Sequence, residues 1–187
     1  QMSFEVEYSD YFRIDKGMWE SKEMQVNPFR LQFNSGDFAG YEWRWNRERL
    51  FEPWMINWRK GIVLPPGDYD FNSHNMMFAS SESRPISIMN DFSIGSFFSG
   101  TQRRYMADLT WRKNRHLRTS FSIEKNWVNL KEGSFDTSLV MYRLDYSFTP
   151  FIMLANFIQY DTDSRDIGLQ SRLRWILRPG NEFFIVL

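Results

Sequence analysis

Polar and apolar side chains alternate one by one through most of this chain, and this alternation constrains the fold more than any other feature. In the segment 104–112, Tyr105, Leu109 and Trp111 fall on one face of an extended chain, while Arg104 and Arg112 fall on the other. A helix would repeat its apolar positions every three or four residues. The pattern therefore predicts β-strands that have one apolar face and one charged face.

The segments that follow keep the same period. The strand that begins at Leu117 carries Phe121 and Ile123 on its apolar face, with Arg118 and Glu124 opposite. Short turn-forming runs at 113–116, 149–150 and 178–181 separate such segments, and about eleven strands can be counted, including the last one. Lipid satisfies no backbone hydrogen bond, and a closed barrel leaves none unpaired. We therefore predict an all-β fold, an antiparallel up-and-down transmembrane β-barrel.

No shift in composition marks a boundary within residues 1–187, so a single domain is expected. The connections 129–136 and 161–166 are predicted to be longer than the turns with which they alternate. Outer-membrane barrels have short periplasmic turns and longer extracellular loops, so the final strand at 183–187 would run outward. No signal peptide is recognisable at the start. We expect the C-terminal part of a larger barrel, without its first strands and without its closing strand.

The composition supports an envelope protein and excludes some partners. Aromatic residues make up 18% of the chain, net charge is zero and cysteine is absent. A neutral chain offers no basic surface for nucleic acid, so no nucleic-acid partner is expected. Rings near strand ends are typical of the girdles at the two bilayer interfaces. The predicted interface aromatics are Trp111, Trp127, Tyr146, Tyr160 and Trp175.

Charged residues of both signs share the polar face of the predicted strands. They could fill a narrow lumen with paired side chains or line a wide aqueous channel, and the strand number that would decide between these is not known from the sequence. Electroneutrality argues against strong ion selectivity. The predicted lumen-facing charge network comprises Asp108, Arg112, Arg118, Glu124, Arg143, Asp145, Arg172 and Arg174.

Catalytic and metal-binding signals are weak. Ser73 and His74 are adjacent, which puts them on opposite faces of a strand, and no nucleophile elbow accompanies them. His116 is interpreted as a turn residue. The spaced acids of the 161–166 segment lack the glycine and the distal glutamate of an EF-hand loop. We predict no catalytic residue, no cofactor and no metal site.

Several runs resemble one protein family in their order and spacing between Gly61 and Leu187. The resemblance is to the C-terminal outer-membrane β-barrel domain of unknown function that Gram-negative envelope proteins carry behind a carbohydrate-binding family 9-like module. It implies the fold and the location, and one further strand after Leu187, but no activity. The runs are Gly61–Tyr69, Ser83–Pro85, Gly133–Thr137, Tyr146–Pro150, Ile158–Tyr160, Arg172–Trp175 and Arg178–Gly180.

The function expected from these features is non-enzymatic. The chain would serve in the bacterial outer membrane as a porin-like pore, or as the anchor and translocation partner of an exported binding module upstream. Its partners would be outer-membrane lipid and other envelope proteins. Two alternatives stay open: an outer-membrane hydrolase that uses Ser73, His74 and a neighbouring acid, and a soluble all-β sandwich, because alternation alone does not distinguish lipid from a protein core.

Overall fold

The computed structural model describes residues 1–187, and all of its regular elements are strands. It contains no helix that is long and apolar enough to cross a membrane. The strands are β1 Met2–Arg13, β2 Met18–Gln32, β3 Phe38–Leu50, β4 Trp54–Asn57, β5 Ile62–Leu64, β6 Gly67–Ala79, β7 Ile86–Phe97, β8 Gly100–Arg112, β9 Leu117–Leu130, β10 Gly133–Thr149, β11 Ile152–Asp161, β12 Asp166–Arg178 and β13 Asn181–Val186.

Eleven of these strands form one sheet in the order β1-β2-β3-β6-β7-β8-β9-β10-β11-β12-β13, and β4 and β5 form a separate hairpin. Each strand of the large sheet lies beside the next one along the chain, apart from the β4–β5 insertion. The prediction of an all-β, antiparallel, up-and-down fold is confirmed. The order ends at β1 and β13, so the sheet is not closed, and the transmembrane barrel stays a prediction.

The chain divides into two compact units. The first comprises Gln1–Phe78, Asp91–Tyr105 and Asn126–Asp136, and the second comprises Ala79–Asn90, Met106–Lys125 and Thr137–Leu187. The apolar core described below belongs to the first unit.

The turns confirm one part of the sequence interpretation and overturn another. The tight turn at 178–181 is present, with Gly180 at a φ of 91° between β12 and β13. The predicted long loop at 129–136 is wrong, because β9 continues to Leu130 and β10 begins at Gly133. Only two residues connect these strands. Gly133 has a φ of 151°, which glycine adopts without steric cost and which permits so short a connection.

Three register slips shift the faces of the N-terminal strands, one of them between Tyr11 and Phe12 in the β1–β2 pairing. The β2–β3 register slips between Val26 and Phe29, and the β1–β2 register slips between Ser3 and Glu5. An extra residue on one strand reverses which side chains share a face beyond it. Val26 therefore faces the same side as Trp43, while on the far side of the slip Phe29 faces the same side as Tyr41.

The core is small and centres on the β4–β5 hairpin. Ile62 and Leu64 of β5 pack with Val128 and Leu130 of β9 in one buried cluster, and Leu64 is fully buried. The hairpin turn is closed by the Asn57 side-chain oxygen, which accepts from the Lys60 backbone N–H at 2.9 Å. This hairpin was not predicted from the sequence.

Most large apolar side chains lie outside any core. The buried hydrophobic residues are five in number, namely Ile62, Leu64, Phe71, Val128 and Leu130. The accessible surface is 12420 Å², whereas a compact soluble protein of this mass exposes roughly 9,500 Å². The sheet therefore leaves a large apolar area without a covering layer in this chain.

Candidate functional site

A polar cluster joins three neighbouring strands of the first unit. Asp91 of β7 accepts from the Asn75 amide of β6 at 2.9 and 3.1 Å, and from the Arg104 guanidinium of β8 at 3.0 Å. Asp91 is only 4% exposed. A buried carboxylate requires such partners, because an unpaired one is costly to remove from water. Asp91 thus has donors on both neighbouring strands.

Ion pairs continue on strands β1 to β3. Arg44 lies 3.1 Å from Glu23 and 2.7 Å from Glu42, and the Gln25 amide donates to Glu42 at 2.7 Å. Arg30 reaches Glu5 on the first strand at 2.8 Å. The predicted charge network did not include these residues. They follow the same alternation of polar and apolar residues. However, register slips between the strands change which residues share a face, so their common face does not follow from the sequence.

Three members of the predicted charge network contact side chains on neighbouring strands or connections. Asp108 accepts a hydrogen bond from the Ser122 hydroxyl, and Arg112 pairs at 2.8 Å with Glu82 in the connection between β6 and β7. The Arg143 guanidinium lies over the Phe157 ring, 5.6 Å from its centroid. The contacts of these three predicted residues are thus with side chains outside the predicted set.

The remaining members of the set lie on strands β9, β10 and β12. Arg172 lies 4.4 Å from the centroid of the Phe184 ring, and Arg174 forms a two-point contact with Glu182. Asp145 is opposite Ala155 in the β10–β11 register. Arg118 and Glu124 both lie on β9, six residues apart, and so project from the same side of that strand.

The other face of the second unit is apolar, and Trp175, Phe183 and Ile185 on it are exposed. Leu154, Leu173 and Ile185 are aligned across β11, β12 and β13, and Trp175 is paired with Phe183. Side chains at paired positions lie on the same face of a sheet. The predicted interface aromatics are all exposed by more than a third of their surface; these are Trp111, Trp127, Tyr146, Tyr160 and Trp175.

The β4–β5 hairpin covers one end of the polar face in the first unit. Along β9, buried Val128 and Leu130 alternate with exposed Trp127 and Asn129. Asn126 shares the side of Val128, and its side chain accepts from Gln102 of β8 at 3.4 Å. The hairpin that buries Val128 and Leu130 therefore packs on the side of the sheet that carries the polar contacts.

Aromatic rings hold the hairpin to the sheet. The Trp54 ring of β4 lies 5.4 Å from Phe98 in the β7–β8 turn, and Phe98 also contacts Phe71 at 5.0 Å. The Tyr69 hydroxyl donates to the Pro65 carbonyl oxygen at 2.6 Å. Phe98 adopts a φ of 46°, which is unusual for a residue with a side chain. The packing of its ring against the hairpin offsets the free-energy cost of this backbone conformation.

The weak catalytic candidates do not form a reacting group. His74 Nδ1 lies 2.6 Å from the Tyr41 hydroxyl, and the two rings stack. Ser73 precedes it in the regular strand β6 and projects from the opposite face. His116 Nδ1 lies 2.7 Å from the Ser147 carbonyl oxygen. These contacts orient the rings and bring no nucleophile to either histidine.

Metal-binding side chains are not gathered anywhere in the chain. No group of three or more histidine or acidic side chains has the arrangement that a metal ion would require. In the connection between β11 and β12, the Asp161 carboxylate accepts from the Asp163 backbone N–H at 2.8 Å. This contact is an ordinary turn hydrogen bond.

Comparison of the chain with protein-family models, with curated proteins and with solved structures finds no match.

Proposed function

We propose that this chain forms part of the wall of an outer-membrane β-barrel in a Gram-negative bacterium, and that its role is non-enzymatic. The observation that carries the proposal is the long antiparallel sheet whose apolar face is exposed along many strands while the other face holds ion pairs. Bilayer hydrocarbon is the environment in which such a face is stable without a second protein layer.

The polar face supports a role in passage across the membrane. Its charges occur in both signs and are neutralised in contacts such as Arg44 with Glu23 and Glu42. A lumen lined in this way would discriminate weakly between anions and cations. The β4–β5 hairpin would narrow such a lumen at one end. We propose a pore of low selectivity as the first role, and the anchor of an exported binding module as the second.

The proposed partners follow from the same two faces. Outer-membrane lipid would cover the apolar face, and other envelope proteins could pair with the strand edges at β1 and β13. The resemblance to the barrel domain of envelope proteins agrees with this proposal and stays a prediction.

The two alternatives receive less support. A soluble sandwich would bury its apolar face against a second layer, whereas Leu109 and Trp111 on this face are exposed. A hydrolase needs Ser73 and His74 to reach one another, but His74 is stacked on Tyr41.

The proposal is tested by folding the full-length protein in detergent and comparing its gel mobility before and after boiling. A folded barrel migrates faster before boiling, and it yields steady ohmic current in a planar bilayer. The matched variant replaces Ser73 and His74 by Ala, which should leave mobility and current unchanged. A chain that stays folded and monodisperse without detergent contradicts the membrane proposal, and ester hydrolysis lost in the double variant contradicts the non-enzymatic one.

A further inference from the structure

A groove of about 690 Å³ crosses β7 to β10 of the first unit. Its lining includes Phe92 and Ile94 of β7, Arg103 of β8 and Trp127 of β9. Trp127 alternates along its strand with Val128, which the β4–β5 hairpin buries. Phe92, Ile94, Arg103 and Trp127 line the groove from the face opposite to the polar contacts, while Val128, Phe135 and the hairpin turn with Lys60 border it from the hairpin side.

Arg103 is a cation without a partner in this chain. Its neighbours along β8, Gln102 and Arg104, project from the other face and contact Asn126 and Asp91. Arg103 itself is exposed and makes no hydrogen bond, ion pair or ring contact. A guanidinium on an apolar face that meets lipid is costly unless an anion accompanies it.

A second cation and several neutral donors border the same groove. Lys60, in the turn of the β4–β5 hairpin, donates from Nζ to the Ser134 carbonyl oxygen at 2.9 Å and so is held beside β10. Thr101, Asn129 and Ser134 supply side-chain hydroxyl and amide groups. One carboxylate, Asp136, also lines the groove and opposes this positive charge.

The apolar part of the groove suits a hydrocarbon chain. Phe92 is 38% exposed, Ile94 39% and Trp127 41%. These side chains lie beside the cations, so the groove presents charge and apolar surface together. A ligand that fits both must carry an anionic head and an apolar tail.

We propose that this groove binds a phosphate-bearing anionic membrane lipid. The Arg103 guanidinium and the Lys60 ammonium would bind the phosphate oxygens, as arginine and lysine do in other phosphate sites. The acyl chain would lie against Phe92, Ile94 and Trp127. This inference rests on the proposed membrane location, because it requires the apolar face to meet lipid.

Native mass spectrometry of the folded full chain tests the site. The probe is a detergent micelle doped with equal amounts of phosphatidylglycerol and phosphatidylcholine that carry the same acyl chains. We expect phosphatidylglycerol to be enriched on the protein. Replacing Arg103 and Lys60 together by Gln should lower the enrichment by about tenfold, the loss expected when a charge-assisted hydrogen bond is removed.

Three further variants separate charge from general damage. Lys113→Gln removes a cation in the turn at the other end of β8 and should leave the enrichment unchanged. Arg103→Lys keeps the positive charge and should preserve most of the phosphatidylglycerol enrichment. Asp136→Asn removes the opposing carboxylate and should increase the phosphatidylglycerol enrichment.

Three results would overturn the inference. The protein could retain both lipids equally, it could retain neither, or the enrichment could survive in the Arg103 and Lys60 double variant. Suppression of the enrichment by inorganic phosphate that itself remains bound would assign the site to free phosphate and would also overturn it. Failure of the proposed function is distinguishable, because in that case the chain shows no heat-dependent mobility and does not require detergent.

Discussion

Arg104 on β8 donates to Asp91 on β7 at 3.0 Å, and the acceptor is almost fully buried while the donor is partly exposed. The ion pair therefore has one partner in the buried interior of the polar face and the other partner in contact with solvent. The Asn75 amide on the other side of Asp91 completes the set of donors. Three adjacent strands are linked by one carboxylate, so that Asn75 and Arg104 both lose an acceptor when Asp91 is replaced.

Asp91→Ala should lower the free energy of unfolding by about 2 to 3 kcal/mol, because Arg104 and Asn75 both lose their acceptor. The matched control is Glu82→Ala, whose carboxylate pairs with Arg112 but is largely exposed. Exposed pairs contribute between about zero and 1 kcal/mol. Denaturant unfolding of the two variants in the same detergent makes the comparison, and equal losses would show that burial of Asp91 contributes nothing.

Leu64→Ala should detach the β4–β5 hairpin from the sheet. Leu64 is fully buried, and its truncation should cost about 2 to 5 kcal/mol of hairpin packing. Val63, the next residue, is 37% exposed and provides the control variant Val63→Ala. If the hairpin narrows a pore, Leu64→Ala should raise the single-channel conductance and Val63→Ala should not. An unchanged conductance in both would place the hairpin outside the conducting path.

Gly100→Ala should prevent normal pairing at the start of β8. An added Cβ would lie 1.9 Å from the Asn129 carbonyl oxygen of β9, so a backbone must move. Such overpacking costs roughly 1 to 3 kcal/mol or more. Gly168→Ala on β12 is the control, because its nearest neighbour would be 3.9 Å away. The yield of heat-modifiable protein measures both, and a normal yield for Gly100→Ala would contradict this close approach.

Leu109→Arg should damage insertion into lipid, since a charge on the lipid face near the bilayer centre costs about 2 to 4 kcal/mol. Ser120→Arg, on the polar side of β9, should be tolerated. Ser122 is less suitable as a control, because it donates to Asp108. Folding yield in lipid vesicles distinguishes the faces, and equal damage from both substitutions would mean that they are assigned wrongly.

The sequence predicted the strands well because alternation is a local property. Where β8 and β9 are regular, the faces follow directly from residue parity, and the tight turn with Gly180 could be located from its composition. The register slips next to Glu5 and Val26 could not be foreseen, because a bulge depends on pairing with a distant strand.

The candidate site was less predictable for the same physical reason. Alternation indicated that Arg112 and Arg174 are on the polar face, but it did not reveal that they pair with Glu82 and Glu182. The β4–β5 hairpin was missed because β5 has only three residues between turn-forming glycines and prolines. Its stability comes from contacts with Val128 and Leu130, more than sixty residues away in sequence.

Site-directed spin labelling along β8 tests the central claim most directly, because the chain has no cysteine and each label can be placed singly. Labels at residues 107 to 112 in lipid vesicles would be probed with oxygen, which concentrates in the bilayer, and with a water-soluble nickel complex. We expect oxygen accessibility to peak at Ala107, Leu109 and Trp111, and nickel accessibility at Asp108 and Thr110. Accessibilities without this period of two, or high nickel accessibility on both sides, would contradict a lipid-facing sheet.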